Sequence, residues 1–246
     1  MNKTTGQQYK RIFLLSHMRA YSSLIGHILG SHPEICGYYE LHLTYASVAD
    51  LEAQLRLLNQ AEPPKTGTVY LFDKLLHNDY ELDTCILPGD DHRVLMSTRS
   101  PEHSLKSIIH LFQAKHTVEP YADAAEATEY YVQRLASLAT FSQENAGRYY
   151  YYDAELIKTN TRNLLQALTR WCALTTPLSD RYRTFSRTGK ARAGDSSGFI
   201  KSGKIQVSEN DYPGVKLEAQ YIIRAEQAYA EYREVLLGNA KESLAQ

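Results

Sequence analysis

The sequence is poor in cysteine, and this shortage excludes two kinds of cross-linked protein. Its 246 residues include three cysteines, Cys36, Cys85 and Cys172, an odd number at wide spacing. Such a set fits neither a disulfide framework nor a zinc site. We expect reduced cysteines in a cytoplasmic protein.

Net charge and long apolar runs are also scarce. The formal net charge is −1, from 27 Lys and Arg against 28 Asp and Glu, so no global positive field attracts nucleic acid or an anionic membrane. The first apolar run, residues 12–15, is far too short for a signal peptide or a membrane span. Hydrophobic residues still make up 43%, enough for a globular core. We therefore expect one domain over residues 1–246, with no nucleic-acid or membrane partner.

Short apolar runs alternate with longer amphipathic stretches along the chain. Strands are predicted at 11–16, 68–72, 93–97 and 148–152, and helices at 22–30, 47–60, 101–112, 123–143, 155–173 and 217–237. This alternation predicts an α/β fold, a parallel sheet with helices on both faces. Ligands of such sheets bind beyond the carboxyl ends of the strands. The last helix either packs on the core or forms the face of a homodimer.

The loop after the first predicted strand has the features of an anion site. A strand that turns into a helix presents free backbone N–H groups and the positive end of the helix dipole. Arg19 adds a charge, and Ser22 and Ser23 add hydroxyl donors at the helix start. The pattern G-x-x-x-x-G-K-[ST] is missing, which argues against an ATP-binding loop of that kind.

A second grip on an anion is predicted after the third strand. Arg99 ends that strand, and Ser107 lies eight residues further on, in a helix that opens with Pro101. Two helical turns bring the Ser107 hydroxyl back toward the guanidinium. A nucleotide that carries phosphate at both its 5′ and 3′ positions needs two anion sites of this kind.

The two patterns together resemble those of sulfotransferases. Residues 16–24 (SHMRAYSSL) are similar to the family's 5′-phosphosulfate loop, and Tyr21 stands where the family usually has glycine, although a side chain there resists positive φ. Arg99 and Ser107 resemble the family's 3′-phosphate site. The cofactor-binding residues that the resemblance implies are Arg19, Ala20, Tyr21, Ser22, Ser23, Leu24, Arg99 and Ser107.

The resemblance implies an activity and a fold. The activity is transfer of a sulfuryl group from 3′-phosphoadenosine 5′-phosphosulfate (PAPS) to a hydroxyl or amine of a small-molecule acceptor, such as a secondary metabolite. The product is 3′-phosphoadenosine 5′-phosphate (PAP), and no metal is expected. The implied fold is P-loop-like, with three layers around a central parallel sheet.

Three residues are catalytic candidates: Lys74 and His77 follow the second predicted strand, and Glu40 follows the first predicted helix. Lys74 resembles the family's second-strand lysine, which contacts the bridging oxygen, and with Arg19 it would stabilise the leaving phosphate. Glu40 follows a helix, a His-Pro turn and Gly37, and this pattern resembles the one in which the family has its acidic general base. His77 is the competing base. His17 and His42 are interpreted as packing or rim residues.

The resemblance extends more loosely to the later chain. Tyr152 resembles the family's fourth-strand tyrosine, which is followed by an acidic residue. Residues 186–203 are rich in glycine, serine and basic side chains and are predicted to form a mobile loop. Lys190, Ser197 and Lys201 in it are candidates for nucleotide contacts.

Two other functions fit parts of the pattern. A small P-loop-type kinase, or another nucleotide-dependent transferase, would use Asp73 at the end of a strand to hold Mg²⁺. A non-catalytic binding protein of the same fold is suggested by Tyr21 alone.

Overall fold

A parallel sheet of six strands forms the centre of the molecule. The computed structural model describes residues 9–87, 89, 91–115, 117, 119–190, 198–207 and 211–246. Within them, the strands are β1 (Lys10–Leu15), β2 (Ile35–Cys36), β3 (Tyr70–Leu75), β4 (His92–Thr98), β5 (Tyr149–Asp153) and β6 (Glu242–Leu244). They lie in the order β2-β3-β1-β4-β5-β6, and each neighbouring pair is parallel.

Helices cover both faces of this sheet. They are α1 (Ser22–Ser31), α2 (Val48–Ala61), α3 (Pro101–Gln113), α4 (Ala124–Glu144), α5 (Leu156–Thr159), α6 (Thr161–Trp171) and α7 (Ala219–Asn239), with short 3-10 helices at Thr84–Ile86, Pro120–Ala122 and Ile200–Ser202. The predicted α/β fold with helices on both faces is confirmed.

The sequence pattern located four strands and missed two. The two-residue β2 is too short to show a period, and β6 begins with the exposed Glu242 at the edge of the sheet. The helix predicted over 155–173 was wrong in its continuity, because the backbone breaks at Asn160 (φ −144°, ψ 47°) between α5 and α6.

Alternating side chains of the strands build two apolar layers. Phe13, Val94 and Tyr151 point to the face that α3, α4 and α7 cover. Leu14, Leu95 and Tyr152 point to the face that α1 and α6 cover. The run of tyrosines in β5 thus divides between the two layers, as strand geometry requires.

A buried arginine closes the carboxyl ends of two central strands. Arg134 of α4 donates from Nε to the carbonyl of Ser16 (2.9 Å) and from Nη2 to that of Leu75 (2.7 Å). Its Nη1 donates to the carbonyl of His77 (3.3 Å) and to Oδ1 of Asn78 (3.0 Å). These carbonyls leave the sheet at the ends of β1 and β3 and need donors there.

Two tyrosines of α4 hold the same edge of the sheet. The Tyr130 hydroxyl accepts from the backbone N–H of Met18 and donates to the carbonyl of Leu76, both at 2.7 Å. The Tyr131 hydroxyl donates to the carbonyl of Arg99 (2.6 Å). One helix therefore fixes the loops that follow β1, β3 and β4.

His17 joins the loop after β1 to the loop after β4. Its Nδ1 contacts the carbonyl of Met18 (2.8 Å), and its Nε2 accepts from the backbone N–H of Arg99 (2.9 Å). These partners fix the neutral form, protonated on Nδ1, since Nε2 must accept. Burial, opposed by the hydrogen bond to Met18, lowers the pKa of His17 to about 4. This contact confirms that His17 is a packing residue.

The low pKa of His17 predicts a loss of stability in mild acid. The unfolded chain binds a proton at His17 near pH 6.5, whereas the folded chain resists it until about pH 4. The stabilisation is therefore complete above pH 6.5 and decreases as the pH falls toward 4. We expect the free energy of unfolding of the wild type, relative to His17→Gln, to decrease by on the order of 3 kcal/mol across that interval in urea titrations. A difference that stays constant between pH 8 and pH 4.5 would contradict this assignment.

Candidate functional site

The loop between β1 and α1 adopts two left-handed backbone conformations. Arg19 has φ 63° and Tyr21 has φ 54°, both in the region that favours glycine. The expected resistance of Tyr21 to positive φ is thus overcome, at a cost on the order of 1–3 kcal/mol per residue. Strained loops of this kind concentrate at binding sites, and here the strain turns the backbone sharply into α1.

The two predicted anion grips meet in the structure. Arg19 Nε donates to the Ser107 hydroxyl (2.8 Å), and Arg99 Nη1 donates to the carbonyl of Arg19 (3.1 Å). The Ser107 hydroxyl in turn donates to the hydroxyl of Tyr212 (3.0 Å). The sequence spacing predicted that Ser107 lies near the guanidinium of Arg99. In the structure, the guanidinium seen to donate to Ser107 is that of Arg19. The first loop, Arg99 and the middle of α3 therefore meet, and we call this group of residues the basic surface.

The Tyr21 ring lies among cations of this surface. The guanidinium carbon of Arg99 is 4.2 Å from the ring centroid, and Lys158 Nζ is 4.9 Å from it. Both distances are within the range of cation–π attraction. Arg99 itself is buried, so its charge is held in a region of low dielectric.

Lys74 reaches the start of α1 from the neighbouring strand. It belongs to β3, where the sequence placed it just beyond the strand, and its side chain is buried. Its Nζ donates to the hydroxyl of Ser23 in the first turn of α1 (3.1 Å). Ser22, the first residue of that helix, is buried. The lysine, the hydroxyls and the helix N-terminus therefore lie together at the carboxyl edge of the sheet.

Two glycines let the chain carry Glu40 to the same edge. A Cβ on Gly26 of α1 would lie 2.3 Å from the carbonyl oxygen of Tyr38, and one on Gly37 would lie 2.3 Å from that of Phe72. Gly37 also has φ 105°, which side chains rarely adopt. The segment after β2 thus passes closely between α1 and β3. It brings Glu40 Oε1 within 3.2 Å of the Leu76 N–H, which donates to it.

Glu40 lies beside two histidines. Its Oε1 is 3.9 Å from His42 Nδ1, and its side chain is only 11% exposed against 43% for His42. The His42 and His77 rings are 6.5 Å apart. Burial lowers the pKa of His77, although the charge of Glu40 opposes the shift. Both candidate bases are therefore in one cluster, and His77 is held toward its neutral form.

Asp73 is bound on both carboxylate oxygens by neighbouring protein groups. Its Oδ1 accepts from the backbone N–H of Leu41 (3.0 Å) and of Lys74 (2.7 Å), and its Oδ2 accepts from the Tyr45 hydroxyl (2.6 Å). Burial raises its pKa to about 7. These bonds give Asp73 the role of anchoring the segment that carries Glu40.

The later candidates lie on other parts of the fold. Tyr152 is fully buried in the layer under α1 and α6. Lys190 and Lys201 are exposed, and the Lys201 side chain packs against Gly189. Ser197 lies outside the described residues. Contacts of these four residues with a nucleotide stay predictions.

The late loop is nevertheless tied to the helix of the first anion loop. Thr188 forms a 2.9 Å hydrogen bond with His27 Nε2, and His27 Nδ1 lies 2.8 Å from the carbonyl of Ser23. Residues 185–190 therefore lie one helical turn from the serines at the start of α1.

The sequence pattern missed two residues of the basic surface. Lys158 follows the end of β5 by five residues, and its position after a strand at the carboxyl edge was the signal that could have indicated it. Tyr212 has no comparable signal, because it follows no strand and meets Ser107 across 105 residues of sequence.

Two kinds of feature are absent from the described ranges of the chain. Among those residues, no group of three His, Cys, Asp or Glu side chains is arranged to hold a metal ion. No helix in the same ranges is both long and apolar enough to cross a membrane.

No protein-family model matches the chain, and no curated protein sequence matches it either.

Comparison of structures finds sulfotransferase domains. The sulfotransferase domain of the Synechococcus PCC 7002 olefin synthase superimposes with a TM-score of 0.60 at 17% identity, covering 93% of this chain and 98% of the other. The sulfotransferase domain of the curacin biosynthetic pathway gives 0.57 at 15% identity, covering 93% and 99%. Mouse sulfotransferase SULT7A1, in complex with PAP, gives 0.52 at 10% identity, covering 92% and 85%. At these identities the likeness concerns the fold, and the chain has the fold of sulfotransferase domains, with a parallel sheet between two layers of helices.

Proposed function

We propose that the chain is a sulfotransferase that moves a sulfuryl group from PAPS to a hydroxyl or amine of a small molecule. The observation that carries this proposal is the junction of the two anion grips. Arg19 of the first loop donates to Ser107 of α3, and Arg99 donates to the backbone of that loop. A nucleotide with phosphate at both its 5′ and 3′ positions requires such donors on two adjacent loops.

The residues present fit the two phosphates of this co-substrate. Backbone N–H groups at the start of α1, with the Ser22 and Ser23 hydroxyls, suit the 5′-phosphate. Arg99 and the Ser107 hydroxyl suit the 3′-phosphate, because a guanidinium and a hydroxyl can bind adjacent oxygens of one phosphate. PAPS, when bound, supplies a sulfuryl group on a good leaving phosphate.

Two cations suit the leaving phosphate in this proposal. Lys74 is buried and donates to the Ser23 hydroxyl. Arg19 lies in the loop that leads into the helix of Ser23. A buried ammonium stabilises developing negative charge more strongly than an exposed one, because water does not screen it. The bond from sulfur to the bridging oxygen breaks, the oxygen keeps the electron pair, and these two residues stabilise its charge.

Glu40 is the general base in this proposal. Its carboxylate is mostly buried and is anchored by the Leu76 N–H, so one oxygen has a fixed position at the carboxyl edge. It takes the proton of the attacking hydroxyl or amine as the new bond to sulfur forms. His42 lies beside Glu40, and the rings of His77 and Tyr80 are 6.5 Å and 5.4 Å from that of His42, so these rings offer a surface for a small acceptor.

The kinase alternative receives no support from Asp73. That carboxylate already accepts three hydrogen bonds, from Leu41, Lys74 and Tyr45, which leaves it little capacity to act as a magnesium ligand.

Nucleotide selectivity tests the proposed function. PAP should raise the melting temperature of the wild type by about 5–10 °C at a hundredfold excess over its Kd, whereas ATP with Mg²⁺ should have little effect. Ser107→Ala should reduce the PAP response. Ser104→Ala is the matched control, because Ser104 is also buried in α3 but bonds to the carbonyl of Ser100. Stabilisation by ATP with Mg²⁺ and not by PAP would overturn the proposal.

Substitution of Glu40 separates binding from proton transfer. In Glu40→Gln the side-chain oxygen can still accept from Leu76, but it no longer removes a proton. We expect transfer of ³⁵S from labelled PAPS to a panel of phenols, alcohols and amines to fall by about 10²–10⁴-fold, with PAP affinity unchanged.

Two further variants complete this test. Glu52→Gln, on the exposed face of α2, is the control and should be fully active. Near-normal turnover of Glu40→Gln, with loss of turnover in His77→Asn, would assign the base to His77 instead.

A further inference from the structure

The ring of Tyr21 connects three strand ends of the sheet. Tyr21 belongs to the loop after β1, Arg99 follows β4, and Lys158 lies in α5 after β5. Both cations contact the one ring, at 4.2 Å for the Arg99 guanidinium carbon and 4.9 Å for Lys158 Nζ. Lys158 is half-buried and so has less freedom than a surface lysine.

The clustering of positive charge here has an electrostatic cost. Arg99 and Lys158 both lie by the ring of Tyr21, and their like charges repel one another. Attraction to the π face of the ring offsets part of this repulsion. A bound anion would offset more, so the arrangement is typical of a site that binds one.

The position of Tyr21 indicates which anion. Its ring lies against the guanidinium of Arg99, the residue that we propose, with Ser107, for the 3′-phosphate. The backbone of Tyr21 adopts positive φ, which a glycine would do without strain. The presence of a strained tyrosine at this position is therefore explained by a function of its ring.

We propose that Lys158 is a third cation of the 3′-phosphate site and that the Tyr21 ring holds Lys158 and Arg99 in place. Tyr21 and Lys158 then determine the preference for a 3′-phosphorylated nucleotide over an unphosphorylated one. This inference rests on the proposed function and assigns to that site two residues that act in addition to Arg99 and Ser107.

Calorimetric titration with PAP and with 5′-AMP tests the role of Lys158. The two ligands differ only in the 3′-phosphate. The Kd for 5′-AMP divided by the Kd for PAP, called the Kd ratio below, therefore measures the contribution of that phosphate. Lys158→Met, which keeps the apolar stem, should weaken PAP binding about tenfold and change 5′-AMP binding less than twofold. Lys115→Met is the matched control, because Lys115 also lies over a ring, 3.8 Å from the Phe112 centroid, and its ratio should equal that of the wild type.

Variants of Tyr21 test the role of the ring. Tyr21→Phe keeps the π face and should keep the Kd ratio, whereas Tyr21→Leu should lower it. The double variant with Tyr21→Leu and Lys158→Met should lower the Kd ratio by less than the product of the two single fold-changes, since each substitution removes the same contact between ring and cation.

The outcomes separate this inference from the proposed function. A wild type that binds PAP no better than 5′-AMP would overturn both. A wild type that prefers PAP, with an unchanged ratio in Lys158→Met, would overturn the role of Lys158 alone. If Lys158→Met fails to fold by circular dichroism, Lys158→Gln provides the same test. Equal ratios for Tyr21→Leu and Tyr21→Phe would overturn the role of the ring.

Discussion

Parallel strands that end at a binding edge leave backbone carbonyls that the sheet no longer pairs fully, and in this molecule Arg134 donates to three of them. Its guanidinium bonds to the carbonyls of Ser16, Leu75 and His77, so one buried side chain closes β1 and β3 together. Burial lowers the pKa of Arg134 from its usual value. Removing the guanidinium would take a donor from each of these carbonyls. The Leu75 carbonyl would keep the Ser16 N–H as a donor (3.2 Å), and the His77 carbonyl would keep the Tyr80 N–H (3.4 Å). The loops that carry the site start from strand ends that this residue fixes.

The same helix and one histidine then set the two anion loops against each other. Tyr130 and Tyr131 bond to Met18 and Arg99, and His17 bonds to both loops at once. The groups that would bind a nucleotide therefore lie on two loops that hydrogen bonds connect to each other and to α4. Binding then requires little ordering of the protein, and this favours affinity and alignment of the reacting groups.

Much of the fold, and part of the site, could be predicted from the sequence. Apolar runs located β1, β3, β4 and β5, because buried parallel strands have little polar interruption. The spacing from Arg99 brought Ser107 into view, because a helix returns a side chain to the same face after two turns. Local patterns therefore located the elements and Ser107, whereas the donor that Ser107 meets, Arg19, lies 88 residues away in the sequence.

The remaining features depend on contacts between distant parts of the chain. Arg134 meets Ser16 across 118 residues, and nothing local distinguishes it from a surface arginine of an amphipathic helix. Tyr21 was unexpected in a left-handed conformation, and only the cations around its ring give it a role. In the sequence Asp73 resembles a magnesium ligand. The structure shows that Tyr45 and Leu41, which are distant from it in sequence, donate to its carboxylate.

A crystal structure with PAP tests the central claim most directly, that the two loops form one site for a nucleotide with phosphate at both its 5′ and 3′ positions. The account predicts the 5′-phosphate at the N-terminus of α1, beside Ser22 and Ser23, and the 3′-phosphate between Arg99 and Ser107. A PAP molecule bound elsewhere, or one with its 3′-phosphate exposed to solvent and away from Arg99, would contradict it.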